Sequence, residues 1–206
     1  MNIIFFSSKN ILSGVWVALL CMILMQRSTA QQIDTTTFRI VTEIGGGYAY
    51  KLTSPKTTLG EYTRSGVVGT LRLKWGTSNL IGVGLETGWI PISRTVNNAI
   101  PSEFGALRMK ASLNAIPLMG LFSIQRRGIQ LHTGIGYYRV IASATLDNET
   151  IESAEWNLGF LLSLGYALPL FEKHRIGIEV KWNNITEQKL SIISVQARYL
   201  YRLFEW

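Results

Sequence analysis

From Thr37 to Trp206 apolar and aromatic side chains alternate with small, polar or charged ones, segment after segment. Successive residues of a strand point to opposite faces, so this alternation describes two-sided sheet rather than helix. In Phe38 to Tyr48 one parity carries Phe38, Ile40, Thr42, Ile44 and Tyr48, and the other Arg39, Val41, Glu43, Gly45 and Gly47. The apolar parity recurs along the whole chain with aromatics at the segment ends, which suits a surface wetted by lipid. No part of this region is apolar over the roughly eighteen residues that a spanning helix needs, so a membrane protein of this sequence must span as a closed barrel.

The first thirty residues read differently. Lys9 is followed by a predominantly apolar run, Ile11 to Met25, and then by Ser28-Thr29-Ala30. The run is shorter than the about 20 residues of a bilayer span and ends in small residues, which predicts a signal peptide over residues 1–30 cleaved after Ala30 rather than a retained anchor. Cys21, the only cysteine, lies inside it. The remainder, residues 31–206, is then one domain without disulfides, stabilised by strand closure and lipid. Loss of Lys9 and Arg27 reduces the formal charge of +7 by two. The remaining cations are spread along alternating strands, a distribution that argues against nucleic-acid binding.

Eight strands are predicted: Thr37 to Lys51, Gly66 to Trp75, Leu80 to Ile90, one from Ala106, Ile129 to Ile141, Glu155 to Leu168, Arg175 to Asn183, and Leu190 to Leu203. The fourth is expected to place Leu107, Met109, Ala111 and Leu113 outside, with Arg108, Lys110, Ser112 and Asn114 inside. Its alternation fails at Ile116-Pro117-Leu118-Met119, where proline removes a ladder donor and signals a bulge or strand end; the facing of residues 115–125 stays open. Short connections (Gly76 to Asn79, Arg126 to Gly128, Pro169 to His174) alternate with longer ones (Leu52 to Ser65, Pro91 to Gly105, Ala142 to Ala154, Asn184 to Lys189). Outer-membrane barrels pair short periplasmic turns with longer outer loops. The predicted fold is therefore an all-β, closed, eight-stranded antiparallel transmembrane up-and-down barrel with both termini periplasmic.

Aromatics should gather where this barrel meets the two interfaces. The topology assigns Tyr48, Trp89, Tyr137, Trp156 and Trp182 to the outer girdle, and Phe38, Trp75, Tyr166, Tyr199 and Tyr201 to the opposite one. The Leu113-Asn114-Ala115-Ile116-Pro117-Leu118 stretch and the ending Tyr199-Leu200-Tyr201-Arg202-Leu203-Phe204-Glu205-Trp206 resemble segments of the small outer-membrane barrels, PorT-like and OmpA- or OmpX-like, a likeness that spans residues 31–206. This resemblance implies a bacterial outer-membrane location. It also implies that Phe204 and Trp206 carry the signal read by barrel-assembly machinery, with Trp where the usual last residue is Phe.

The inward parity supplies the lumen. Arg39, Arg72, Lys74, Arg108, Lys110, Arg175, Lys181 and Arg198 oppose Glu43, Glu86, Glu155 and Glu179, with His132 among them. Eight strands enclose only enough room for side chains, so a structural polar network is expected in preference to a pore, although the surplus of cations suits a narrow anion-preferring channel. Lipid A-modifying enzymes also use this scaffold. His132 and His174 lack a His-x-Ser partner and no metal-ligand cluster accompanies them, so no catalytic residue, metal or cofactor is assigned. The leading reading is a non-enzymatic structural or interaction barrel. Its partners are outer-membrane lipid and lipopolysaccharide, the assembly machinery, and an unidentified protein held by the outer loops that carry Lys56, Arg64, Arg94 and Glu103.

Overall fold

The computed structural model describes residues 37–53, 61–77, 81–102, 105–146 and 149–206. The proposed signal peptide, residues 1–30, lies outside them, as do Lys56 and Glu103. The described chain forms nine strands: β1 Phe38–Lys51, β2 Glu61–Thr63, β3 Ser65–Thr77, β4 Ile81–Ser102, β5 Gly105–Arg126, β6 Ile129–Leu146, β7 Glu149–Pro169, β8 His174–Ile185 and β9 Leu190–Glu205. Eight of these are hydrogen-bonded in the order β4-β3-β1-β9-β8-β7-β6-β5, and β4 pairs with β5 to close the ring. Every pairing is antiparallel. The short β2 lies against β4 alone, opposite Arg94 to Val96. Closure gives each of the eight long strands a neighbour on both sides, the condition for crossing a bilayer with strands. Only the long-hairpin ends, such as β7 before Gly159, extend past a neighbour.

The first and last strands meet at the β1–β9 seam, where Phe38 and Trp206 exchange backbone hydrogen bonds of 3.0 and 3.1 Å. A two-residue turn joins β5 to β6. Arg126 pairs with Ile129, and the two residues between them, Arg127 and Gly128, have φ of 49° and 88°. Two successive positive φ values define the hairpin turn whose twist matches its strands, and glycine adopts the second without strain.

Burial alternates along each strand. On β7 Asn157, Gly159, Leu161, Ser163, Gly165 and Ala167 are buried, while Leu158, Phe160, Leu162, Leu164, Tyr166 and Leu168 are exposed. Large hydrophobics on β1, β3, β4, β5, β6, β8 and β9 are exposed in the same way. A continuous belt of this kind is far beyond the few hundred Å² that a soluble monomer leaves open, and lipid is the solvent that suits it.

Two expectations are corrected. The connections foreseen at Pro91 to Gly105 and Ala142 to Ala154 are largely strand, because β4, β5, β6 and β7 continue well past the apolar belt. Above the belt both faces of a hairpin meet water, so hydrophobic alternation no longer marks the strand. On β5 the inward parity is the reverse of the expected one. Ala115, Pro117, Met119, Leu121 and Ser123 are buried, Leu118, Phe122 and Ile124 are exposed, and Leu113 packs against the buried core. Pro117 neither ends the strand nor shifts its register with β6. The β4–β5 ladder instead skips from Thr87↔Leu118 to Ile90↔Ala115, leaving the proline opposite a stretch where no donor is required.

Single cysteines on β5 test this facing in a Cys21→Ser background. Leu118→Cys is expected to react with a membrane-soluble maleimide, whereas Met119→Cys reacts only after denaturation. Reversed reactivities would restore the other parity to the interior.

Candidate functional site: a charge cluster within the barrel

The inward side chains sort into two tiers. Toward the short turns the interior is polar: Glu43, Thr70, Arg72, Lys74, Glu86, Gln130, His132, Ser163, Glu179, Lys181, Ser194, Gln196 and Arg198 are all buried. Toward the long hairpins the fill is mostly apolar, with Lys51, Asn157 and Asn183 buried among it. Ala49, Val68, Ile90, Ile92, Ala115, Met119, Leu121, Tyr138, Val140, Leu161, Ile185, Leu190 and Ile192 form one buried cluster. The phenol of Tyr138 lies within this cluster and is satisfied by Asn183 Oδ1 at 3.1 Å and the carbonyl of Phe160 at 3.3 Å.

Strand register builds the polar tier. Glu43 lies directly opposite Arg72, and Arg72 opposite Glu86, so one row across β1, β3 and β4 reads carboxylate, guanidinium, carboxylate. The Arg72 guanidinium donates to Glu43 Oε2 at 3.0 Å, to Glu86 Oε2 through Nε at 2.8 Å and also through Nη2, and across the lumen to Glu179 Oε1 on β8 at 3.2 Å. Around this hub Lys181 donates to Glu86 Oε1 at 2.7 Å, Arg198 to Glu43 Oε2 at 2.8 Å, and Lys74 forms an ion pair with Glu43. Arg198 extends the cluster to β6, donating to Gln130 Oε1 at 2.6 Å and to His132 Nε2 at 3.4 Å.

Four cations therefore meet three carboxylates, all with side chains at most 8% exposed. Isolated buried charges of this kind would cost several kcal/mol each, and the mutual pairing is what makes the cluster tolerable. Room for it comes from glycine. A Cβ at Gly165 would stand 2.5 Å from Arg198 Nη2 and 2.9 Å from the Ile178 carbonyl, and one at Gly159 would stand 2.5 Å from the Tyr138 ring.

Of the residues assigned to the lumen from sequence, Glu43, Arg72, Lys74, Glu86, His132, Glu179, Lys181 and Arg198 come together here. Others do not. Lys110 is exposed, a consequence of the reversed parity on β5, and the side chain of Arg108 lies outside the described ones. Glu155 has the inward parity but sits beyond the belt, paired in register with Val140, and is exposed to water. Arg39 is at the short-turn rim, where its Nε donates to Glu205 Oε1 at 2.6 Å. Sequence reasoning missed Thr70, Gln130, Ser194 and Gln196, which share the inward parity and were hidden by attention to charge alone. Thr70 donates to Gln196 Oε1 at 2.8 Å, and Gln196 to Ser194 Oγ at 3.1 Å.

The aromatics assigned to girdles lie on the outside. Tyr48, Trp89, Tyr137, Trp156, Trp182, Phe38, Trp75, Tyr166 and Tyr199 are exposed, and Tyr201 is half-buried. Polar handles are satisfied locally, as in Trp182 Nε1 to Ser191 Oγ at 2.7 Å and Tyr48 with Ser65 at 3.0 Å. Phe38 stacks on Trp206 with centroids 6.3 Å apart, and both Phe204 and Trp206 are exposed. His174, the first residue of β8, hydrogen-bonds Tyr199 and packs on Tyr201. Among the described residues no group of His, Cys, Asp and Glu is placed to hold a metal.

A closed eight-stranded barrel with an apolar exterior and a filled interior defines a small membrane-spanning β-barrel. No protein-family model matches the chain, and neither does any curated protein. Among solved structures it is similar to Ail, the attachment invasion locus protein of Yersinia pestis, at 8% identity and a TM-score of 0.48, covering 82% of this chain and 99% of that one. It is also similar to Neisserial surface protein A (12% identity, TM-score 0.41, 81% and 97% covered) and to the outer membrane protein OprG from Pseudomonas aeruginosa (15%, 0.41, 79% and 93%).

Removal of the hub should be costly. Arg72→Met leaves three carboxylates short of a partner and is expected to lower unfolding stability by about 3–5 kcal/mol, with Arg72→Met/Glu86→Leu recovering part of the loss in a double-mutant cycle. Gly165→Ala should cost about 1–3 kcal/mol by overpacking against Arg198. Denaturant titration in detergent micelles checks both, and an unchanged midpoint in Arg72→Met would mean that the cluster does not stabilise the barrel.

Proposed function

We propose that this protein is an integral barrel of the bacterial outer membrane with a structural or interaction role, its termini in the periplasm and its long hairpins outside. The observation that carries the reading is the apolar tier: a buried cluster of thirteen residues occupies most of the long-hairpin half of the interior. Among the described residues there, only Lys51, Asn157 and Asn183 are buried polar side chains beside it. Ions cross a barrel along polar, hydrated surface, and a plug of Ile, Leu, Val and Met supports a filled, non-conducting lumen over an anion-preferring channel. The same plug separates His132 from the outer leaflet, where the acyl chains of lipid A lie, which supports a non-enzymatic role. The exposed Arg64, Arg94 and Lys110 and the hairpins around them are the contact surface for lipopolysaccharide and for a protein partner. Phe204 and Trp206, at the closing strand, present the terminal aromatics to the assembly machinery.

Planar-bilayer recording of the purified full-length barrel tests the proposal. No stable conductance is expected, in the parent protein or in Arg72→Glu. A steady anion-selective current that is lost on this charge reversal would favour the channel, and release of fatty acid from lipid A that is abolished by His132→Ala would favour the enzyme.

A further inference from the structure

The short-turn end of the barrel opens into a cavity that meets the lumen cluster at Lys74. Its volume is about 60 Å³, and the charged side chains that line it are Arg39, Lys74, Glu172, Lys173, Arg175 and Arg202. That space has room for several water molecules and is large enough to admit one small oxyanion.

The charges around it are unequal. Arg39 and Arg202 share a single carboxylate, Glu205, and Arg202 also donates to the backbone carbonyl of Glu172. Lys74 is occupied by Glu43. Arg175 is half-buried, yet no carboxylate lies within ion-pair distance of it among the described residues, and the same is true of Lys173. Among the described side chains, the four cations at the rim thus face only Glu172 and Glu205, and the cluster beneath carries one further positive charge. Such a partly desolvated guanidinium beside two others is a poor arrangement for an empty mouth and a good one for a multivalent anion.

We infer that this mouth binds a phosphate dianion, held by the Arg175 guanidinium with Arg39 and Lys173 beside it. A dianion matches the surplus of two charges at the rim, and terminal phosphate oxygens accept the parallel N–H bonds that guanidinium groups present. The phosphate comes either free from the periplasm or as the phosphomonoester headgroup of an inner-leaflet lipid. Both sources present the same chemistry, and they are separable by experiment.

The full-length barrel is placed in zwitterionic nanodiscs at physiological salt and titrated calorimetrically with inorganic phosphate. In parallel, it is reconstituted with mixed phosphatidic acid and phosphatidylcholine, and the lipid retained by the purified protein is measured by mass spectrometry. Binding of at least one of the two is expected, weakened about tenfold in Arg175→Gln and unchanged in Lys110→Gln at the opposite end. Retention of phosphatidic acid without phosphate binding identifies the lipid as the source, and the converse identifies the free anion. The inference is overturned if neither binds, or if both bind equally in Arg175→Gln protein whose heat-modifiable gel migration shows a folded barrel. Conductance and hydrolysis are untouched by either result, so failure here is distinct from failure of the structural role.

Discussion

One guanidinium joins four strands that are not all neighbours. Arg72 on β3 binds Glu43 on β1 and Glu86 on β4 along the sheet, and reaches Glu179 on β8 across the lumen. An up-and-down barrel is otherwise held by ladders between adjacent strands, and these fix the order of the strands more firmly than the shape of the space they enclose. The cluster makes opposite walls interdependent. Its carboxylates need its cations because none of them can reach water, so the interior adopts one arrangement or loses several kcal/mol.

The apolar tier follows from the same constraint. Charges buried at one level of a narrow barrel stay paired only if water is excluded, and Ile90, Ile92, Met119, Leu161, Ile185 and Ile192 exclude it from the long-hairpin side. At the other end the cluster grades into a basic mouth. The interior is thus asymmetric along its axis, apolar where the hairpins extend and cationic at the short turns. That polarity is what distinguishes this chain from a uniformly polar lumen of the same width, and it supports both the non-conducting reading and the phosphate site.

Much of the fold was legible because lipid leaves an unambiguous pattern. Where a strand crosses the belt, as in Gly66 to Trp75 or Glu155 to Leu168, one face is apolar and the other is not, and parity can be read directly. The reading failed where that contrast disappears. On β5, Leu107, Met109, Ala111 and Leu113 were placed outside because apolar residues were taken to face lipid, but Leu113 packs against the plug. A barrel with an apolar tier has apolar residues on both faces at that height. Lys110 was misplaced together with that parity, and Glu155 for a related reason: beyond the belt a charge is solvated on either face, so its inward parity carries no lumenal meaning. The hub itself was partly visible, since Arg72, Glu43 and Glu86 share the inward parity. That they form one row depends on register, which is decided by pairing across distant strands rather than by any local signal.

Direct evidence on the sealed charge cluster is within reach of proton-exchange measurements on the ¹⁵N-labelled barrel in lipid nanodiscs, observing the Arg72 Nε–H resonance. A guanidinium held by three carboxylates beneath an apolar plug should keep this proton from exchanging with water far longer than an exposed arginine such as Arg126. Exchange of Arg72 at the rate of Arg126 would show a hydrated lumen and contradict the account.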